Sequence, residues 1–274
     1  MADSSENVST IDHKFIDESK THTGRARRMI DLKRWDQNTV VGWLEDDFHH
    51  FGVTLVHEGT VITDVSATAV RYPWSSCGLA PQALRPLIGK ALSPRCSDIG
   101  QRLAMREQCT HIFDLTGLVM AHAVRGIPHR HYQAITESRE IMGWKNHKNP
   151  IFGPTTIHLQ QDGETVMQWH NEHGEILDRD SQHRQSLGRG FREWTESLDL
   201  EHGEYATILR RALLVSGGRS MVHDNYPSAA AMDQPELCYS FQASRRDNAL
   251  RMHDTTKDYA DAPEAMLACV NSKP

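Results

Sequence analysis

The chain has 274 residues, of which 38% are hydrophobic, and it carries a formal net charge of −6 at pH 7. This length and composition are sufficient for a folded core, and the acidic balance disfavours nucleic acids and anionic membranes as partners. No apolar run approaches the ~18 residues of a membrane span, and the polar start lacks the layout of a secretory signal. We therefore expect a cytoplasmic protein that acts on small molecules.

The distribution of predicted elements indicates one α+β domain. The first 24 residues are polar and have no sustained apolar period, which predicts a flexible tail. Hairpins and isolated helices follow over residues 25–274 without alternating β-α-β units, a pattern that is typical of an antiparallel sheet packed with several helices. The segment after Tyr226 is too polar and irregular for any assignment.

A hairpin is the clearest local prediction. The runs Val40 to Val56 and Val61 to Val70 are rich in β-forming residues, and the pair Glu58-Gly59 between them suits a turn that needs a positive φ. If this pair forms the turn, His49 faces Thr68 across the hairpin. The whole first run is then expected to form one long strand.

The stretch from Asp47 to Phe51 is the main candidate for chemistry in this strand. Neighbouring strand residues point to opposite faces, so His49 and His50 send one ring to each side. Asp47 would share a face with His49 and form an acid/base pair with it. His50 would face the apolar side and need a buried hydrogen-bond partner.

Helical and strand patterns alternate along the rest of the chain. Glycine and proline mark the ends of the predicted elements, and Asp-Gly and His-Gly pairs mark tight turns. In chain order we expect a short helix over Pro81 to Gly89, a longer helix over Met105 to Val124 that ends at Gly126 and Pro128, strands over His131 to Thr136, Thr155 to Gln161 and Thr165 to His170, turns at Asp162-Gly163 and Glu172 to Glu175, and a helical region over Phe191 to Val215 interrupted at Gly203.

The longer predicted helix carries a second set of candidates. His111 and His122 lie near one line of this helix, with Asp114 a little to the side, so the three side chains can line one cleft. One interpretation makes His111 a general acid or base oriented by Asp114, and the other makes them a hydrogen-bond cluster at the helix start. If the predicted hairpin register holds, this helix is also the obvious source of a hydrogen-bond partner for His50.

Four residues outside these segments are candidates for binding a ligand. Arg71, Tyr72, Trp74 and Arg95 offer aromatic faces and positive charge to an aromatic or carboxylate-bearing molecule. For each of them taken singly, a place in the core or at its rim is the more common role. The motifs of nucleotide-binding loops and of the serine nucleophile elbow do not occur in the sequence.

The 17 histidines raise the question of a metal. Zinc helices typically place two histidines four residues apart with a carboxylate nearby, and the chain has no H-E-x-x-H motif. We therefore expect no cofactor, with zinc as the alternative. Only the fold could bring the candidate ligands together, and these are His49, His50, His111, His122 and Asp114.

Three segments of the chain resemble a bacterial family catalogued as domain of unknown function 2889. These segments are Trp43 to Phe51, Arg71 to Cys77 and Cys109 to Leu115, and the likeness covers about Arg27 to Gly126 in the same order. The family label implies no activity. Proteins similar to this one also occur among catabolic enzymes for aromatic compounds, including lyases that release formaldehyde from lignin-derived dimers without a cofactor.

The second resemblance implies a carbon–carbon lyase that acts on a phenolic aromatic substrate. Such a reaction requires a base for the side-chain hydroxyl, groups that handle the phenol proton, and stabilisation of a quinone-methide-like intermediate. In this hypothesis the acid/base groups are His49 or His50 and His111, the orienting acids are Asp47 and Asp114, and the ligand is held by Arg71, Tyr72 and Trp74, with Arg95 and His122 as further binding residues.

Two alternatives to this lyase stay open from the sequence. One is a zinc-dependent hydrolase or lyase that uses some of the same histidines, and the other is a non-catalytic ligand-binding or assembly protein. A homodimer is compatible with each of them.

Overall fold

The computed structural model describes residues 24–145, 149–178, 184–232 and 234–274. The predicted tail therefore lies outside the described residues, except for Gly24. Strands and three α-helices make up the regular structure. They are β1 (Ala26–Arg34), β2 (Thr39–Asp46), β3 (His50–Glu58), β4 (Val61–Arg71), α1 (Thr110–Arg125), β5 (His129–Thr136), β6 (Ile141–Lys145), β7 (Asn149–Phe152), β8 (Thr155–Gln161), β9 (Glu164–Glu172), β10 (Glu175–Asp178), β11 (Arg184–Ser186), α2 (Phe191–Ser197) and α3 (Leu200–Ser216).

Nine of these strands form one sheet, in the order β11-β10-β9-β8-β5-β1-β2-β3-β4, while β6 and β7 form a separate hairpin. Every neighbouring pair in the large sheet is antiparallel. The chain leaves the edge at β4, passes through 3-10 helices and α1, and returns as β5 beside β1. The prediction of an antiparallel sheet with several helices is confirmed. None of the helices in the described part of the chain is long and apolar enough to cross a membrane.

The two faces of β1, β2 and β3 have different coverings. Leu44 and Phe51 point toward α1 and belong to the main core. On the opposite face, Trp43 packs with Leu267 of the C-terminal segment. Because successive strand residues alternate between faces, neighbouring residues at the end of β2 enter different environments.

A buried carboxylate ties α3 to α1 and to β5. Glu204 accepts hydrogen bonds from Arg125 at 2.8 Å and from the Tyr132 hydroxyl at 2.5 Å. Its side chain is fully buried, so these donors replace the water that the charge has lost. The two long helices are therefore fastened to the sheet at a defined position.

Helix α1 lies unusually close to its neighbours at two glycines. A Cβ at Gly42 would overlap the side chain of Val119, and a Cβ at Gly117 would overlap the carbonyl oxygen of Cys96. Side chains can shift to make room more readily than backbone can. Gly117 is therefore the less replaceable of the two glycines.

The substitution Gly117→Ala is expected to lower the free energy of unfolding by about 1–2 kcal/mol, because overpacking against backbone outweighs the ~1 kcal/mol by which alanine favours a helix. Urea denaturation followed by circular dichroism measures this change. Gly143→Ala is the matched control, since the nearest atom to its new Cβ lies 3.9 Å away. Equal stability of the two variants would contradict the close approach.

The prediction of one long strand from Val40 to Val56 is wrong. Two strands, β2 and β3, occupy this run, and residues 47–49 form a turn between them. The cause is Asp46, whose side chain accepts the backbone N–H groups of Phe48 and His49, each at 2.9 Å. An aspartate that bonds to the backbone two and three residues ahead favours a turn over a continued strand.

The register of the next hairpin also differs from the prediction. Glu58 pairs with Val61, so the turn is formed by residues 59–60 and not by Glu58 and Gly59. An irregularity between Val56 and His57 then shifts the remaining pairs. As a result Thr68 faces Gly52, and His49 has no partner in β4.

The later elements follow the prediction more closely. The expected short helix is a 3-10 helix over Ser75–Leu87. Helix α1 begins at Thr110, five residues later than expected. It ends before Gly126, whose φ is +66°. The turn at Asp162-Gly163 is confirmed by two positive φ values, 51° and 95°. The break in the last helical region falls at 198–199, because Asp199 caps α3.

Candidate functional site

The turn between β2 and β3 presents an aspartate–histidine pair to the helix side of the sheet. Oδ1 of Asp46 lies 3.0 Å from Nδ1 of His49 and also accepts two backbone N–H groups of the turn. An ionised carboxylate has no proton to give, so Nδ1 of His49 donates and Nε2 is left as the acceptor of the ring. This is the tautomer that a general base requires.

A second histidine lies against this pair. His111 is in the first turn of α1, and its ring stacks on that of His49 with centroids 3.7 Å apart and planes at 24°. One donor atom from each of Asp46, His49 and His111 lies within 4.8 Å of the others. Phe51 flanks both rings, at centroid distances of 5.8 and 6.0 Å. We call these three polar residues the Asp46 cluster.

Arg28 supplies the charge that balances the cluster. Its guanidinium donates to Oδ2 of Asp46, and both side chains are buried. Burial alone would raise the pKa of Asp46, but the contacts with His49 and Arg28 outweigh it and hold that pKa well below its usual value. The carboxylate therefore stays ionised inside the protein.

The two imidazoles of the cluster are neutral at pH 7. Burial lowers the pKa of His49, and the contact with Asp46 only partly opposes this effect. Burial, together with the neighbouring His49 and Arg28, lowers the pKa of His111 further. A neutral imidazole is the form that accepts a proton, so both rings are in the state of a base.

Arg71, a predicted ligand-binding residue, holds the turn instead. Its guanidinium donates to the backbone oxygens of Asp46 at 2.6 Å and Asp47 at 2.8 Å, and to the Glu45 side chain at 3.0 Å. It also bonds to the backbone oxygen of Thr255. These hydrogen bonds fix the position of the turn that carries the cluster.

The predicted pairing of Asp47 with His49 is not present. Asp47 forms an ion pair with Arg219 at 2.7 Å and accepts the backbone N–H of Tyr259 at 3.3 Å. Burial raises the pKa of Asp47 to about 6, although Arg219 opposes that rise. Asp47 therefore attaches the turn to the C-terminal part of the chain, while Asp46 takes the orienting role.

His50 lies on the other face of the sheet, away from the Asp46 cluster. Its Nε2 is 3.0 Å from Sγ of Cys269, its Nδ1 is 3.5 Å from Glu45, and its ring meets that of Trp43 edge-on. The partner of His50 thus comes from the C-terminal segment and not from α1. The structure brings His49 and His111 together and leaves His50 out.

The other two candidates on α1 do not join the cluster. Asp114 forms an ion pair with Arg211 of α3 at 2.6 Å and does not orient His111. His122 is eleven residues beyond His111, about 16 Å along a helix, and is fully buried. Burial, with Arg130 and Arg125 nearby, lowers its pKa to about 4.

The remaining predicted binding residues have structural surroundings. Trp74 is buried in a small core with Tyr226 and Ala249, and Tyr72 is partly buried beside it. Arg95 donates to the backbone oxygens of Thr195 and Leu198, which anchors the link between α2 and α3. None of these described contacts points toward the Asp46 cluster.

Three residues of the site were not foreseen from the sequence. Asp46 carried a usable signal, because an aspartate three residues before a histidine is the spacing of a turn in which the side chain bonds to the backbone ahead. Arg28 and His223 carried none. The ring of His223 lies 4.7 Å from that of Phe48, and burial, with Arg251 and His49 nearby, lowers its pKa to about 3.

Two cavities lie on the helix side of the sheet. One, of about 10 Å³, is lined in part by Arg28, Asp46 and Phe48, and it has room for a water molecule or an ion. The other, of about 110 Å³, is lined by residues of α1, α2 and α3, including Asp114. The small cavity therefore borders Asp46, and the larger cleft lies between the three α-helices, with neither His49 nor His111 in its lining.

A comparison with known protein families gives a match in the N-terminal part of the chain. A family model described as "Protein of unknown function (DUF2889)" matches residues 3–125, and no curated protein matches the chain. The matched residues include the β2–β3 turn and the whole of α1, so they include the Asp46 cluster. Residues 3–125 are therefore similar to the DUF2889 family of proteins of unknown function.

Proposed function

We propose that this protein is a small-molecule enzyme in which His49 is the general base. Asp46 orients it, and His111 is the second acid/base group. The observation that supports this proposal best is the 3.0 Å contact between Asp46 and His49 beneath a stacked neutral imidazole. A carboxylate that holds one ring nitrogen and leaves the other free is the arrangement of a catalytic dyad.

The reaction proposed for this site is the release of formaldehyde from a phenolic dimer. The phenol loses its O–H proton and a leaving group departs from the carbon beside the ring with that proton, so that a quinone methide forms. His49 then removes the proton of the side-chain hydroxyl. The carbon–carbon bond breaks, formaldehyde leaves, the electron pair restores the aromatic ring, and the phenolate oxygen takes up the proton held by His49. No oxidant or reductant is required.

The small cavity sets a condition on this proposal. A volume of about 10 Å³ beside the cluster does not admit a phenolic dimer, so the turn that carries Phe48 has to move when the substrate binds. The ring of Phe48 lies 4.7 Å from that of His223 and close to Gly218. Opening at this aromatic contact would widen the approach to the partly exposed His49.

The test is to incubate the purified protein with a panel of phenolic dimers that carry a hydroxymethyl group and to assay released formaldehyde. We expect formaldehyde and an unsaturated phenolic product in equal amounts from at least one dimer. If no dimer in the panel yields formaldehyde, the lyase reaction is wrong. Binding of a dimer without turnover would then support the hypothesis of a non-catalytic ligand-binding protein.

A zinc-dependent hydrolase or lyase is the second candidate, and it is favoured by the cluster's three donor atoms, which all lie within 4.8 Å of one another. Two imidazoles and a carboxylate, with water as a fourth ligand, form a common catalytic zinc set. The hydrogen bonds around Asp46 fit a bound zinc ion less well. Oδ1 of Asp46 already accepts three hydrogen bonds and Oδ2 faces Arg28, so binding would displace the contact with His49.

Elemental analysis of the untagged protein separates the two candidates. One zinc per chain, lost together with activity in the variant His111→Gln, would support the zinc enzyme. Full activity after exhaustive treatment with a chelator, in protein with no metal, would support the cofactor-free lyase.

A further inference from the structure

A cleft between the helices has the features of a ligand site, and none of the residues that line it belongs to the Asp46 cluster. It has a volume of about 110 Å³ and lies between α1, α2, α3 and the 3-10 helix Cys96–Gln101. Its apolar lining includes two phenylalanines from different helices, Phe113 and Phe191, with Ile99 and Met105. These side chains offer flat and aliphatic surfaces to an apolar body.

Positive charge predominates at the walls of this cleft. Arg192, Arg210 and Arg211 all line it, and Asp114 is the acidic residue among the lining residues. Asp114 is already neutralised by Arg211 at 2.6 Å. Arg192 is paired with Glu196 at 2.7 Å. Of the three arginines that line the cleft, Arg210 is therefore the one for which the structure describes no ion pair with an acidic residue.

Arg210 is held so that its remaining donors are free. Its Nε donates to the backbone oxygen of Leu187 at 2.6 Å, and its guanidinium lies 4.9 Å from the ring centre of Phe191. Within the part of the chain that the structure describes, its two Nη groups have no hydrogen-bond acceptor. Burial and the nearby Arg211 lower the pKa of Arg210, which is the direction that a bound anion would reverse.

We propose that this cleft binds a small organic carboxylate, with the carboxylate paired to the Nη groups of Arg210 and a single ring or short apolar chain between Phe113 and Phe191. A guanidinium fork matches the geometry of a carboxylate. The volume of about 110 Å³ is smaller than the ~150 Å³ of a closed cavity that holds one benzene ring, so the cleft takes at most one ring, part of which lies in its open mouth. The inference does not depend on the proposed lyase activity, since binding is measured without turnover.

Isothermal titration calorimetry of the full chain with benzoate tests the site. We expect saturable binding of one benzoate per chain, and at least a tenfold weakening in Arg210→Gln, the loss that follows from removing a hydrogen bond to a charged group. Arg210→Lys keeps the charge without the fork and should bind with intermediate affinity. Benzyl alcohol, which has the same ring and no charge, should bind at least tenfold more weakly than benzoate.

Controls separate this site from general effects of charge and folding. Arg85→Gln removes one exposed positive charge outside the cleft and should bind benzoate as the unmodified protein does. Thermal unfolding of each variant shows that the fold is kept. Absence of saturable benzoate binding, unchanged binding in folded Arg210→Gln, or binding of inorganic phosphate but not benzoate would each overturn the proposal.

Discussion

Replacement of His49 by glutamine is expected to lower the rate of formaldehyde release by about 10²–10⁴-fold, the usual contribution of a general base. Glutamine can still donate a hydrogen bond to Asp46, so the turn keeps its anchor, but its amide has no basic nitrogen to accept a proton. The loss should therefore appear in kcat more than in KM. Steady-state kinetics with the best substrate of the dimer panel measures both constants.

The control for this experiment is His170→Gln, which removes an exposed imidazole of β9. It should leave kcat within a factor of two of the unmodified protein. Thermal unfolding of both variants shows whether the effect is catalytic or structural. If folded His49→Gln retained its rate, His49 would not be the base and the dyad would be a structural feature of the turn.

The substitution Asp46→Asn is expected to lower the free energy of unfolding by about 3–5 kcal/mol, the cost of leaving one member of a buried ion pair without its partner. Arg28 and Asp46 are both buried, and two nitrogens of the guanidinium, Nε and Nη2, have no other described acceptor. Asparagine keeps the shape of the aspartate but loses its charge and one of its two acceptor oxygens. Chemical denaturation at pH 7 measures the change.

A double-mutant cycle shows whether the loss comes from this ion pair. In the background Arg28→Met, the further change Asp46→Asn should cost much less, because no buried cation is left unpaired. Asp64→Asn, at an exposed carboxylate of β4, is the control and should change stability by less than ~0.5 kcal/mol. Equal costs of Asp46→Asn in both backgrounds would show that Arg28 does not depend on this carboxylate.

Local chemistry explains why much of the fold could be predicted. The turn at Asp162-Gly163 needs two positive φ values, which these residue types tolerate, and α1 ends where Gly126 adopts a left-handed conformation. Each of these signals acts over a few residues. The antiparallel class then follows from the number of hairpins between isolated helices.

The same local reasoning failed where a side chain competed with the strand. The run around His49 has strand composition, yet Asp46 bonds to the backbone of Phe48 and His49 and turns the chain. One inserted turn changes which residues share a face. Asp47 therefore left the site, Asp46 entered it, and His49 instead of His50 faces α1.

The sequence by itself determined that His49 and His111 can act as acid/base groups, one in a predicted hairpin and the other in a predicted helix. Only the tertiary structure decided which of the predicted groups meet. Sixty-two residues separate these two histidines, and their rings stack because α1 packs against β2 and β3. The pairing of Arg28 with Asp46 depends on the register of β1 against β2, and that of His50 with Cys269 depends on the packing of the C-terminal segment against the other face of the sheet. Contacts of this kind are set by how a whole face is buried, which no local pattern of residues encodes.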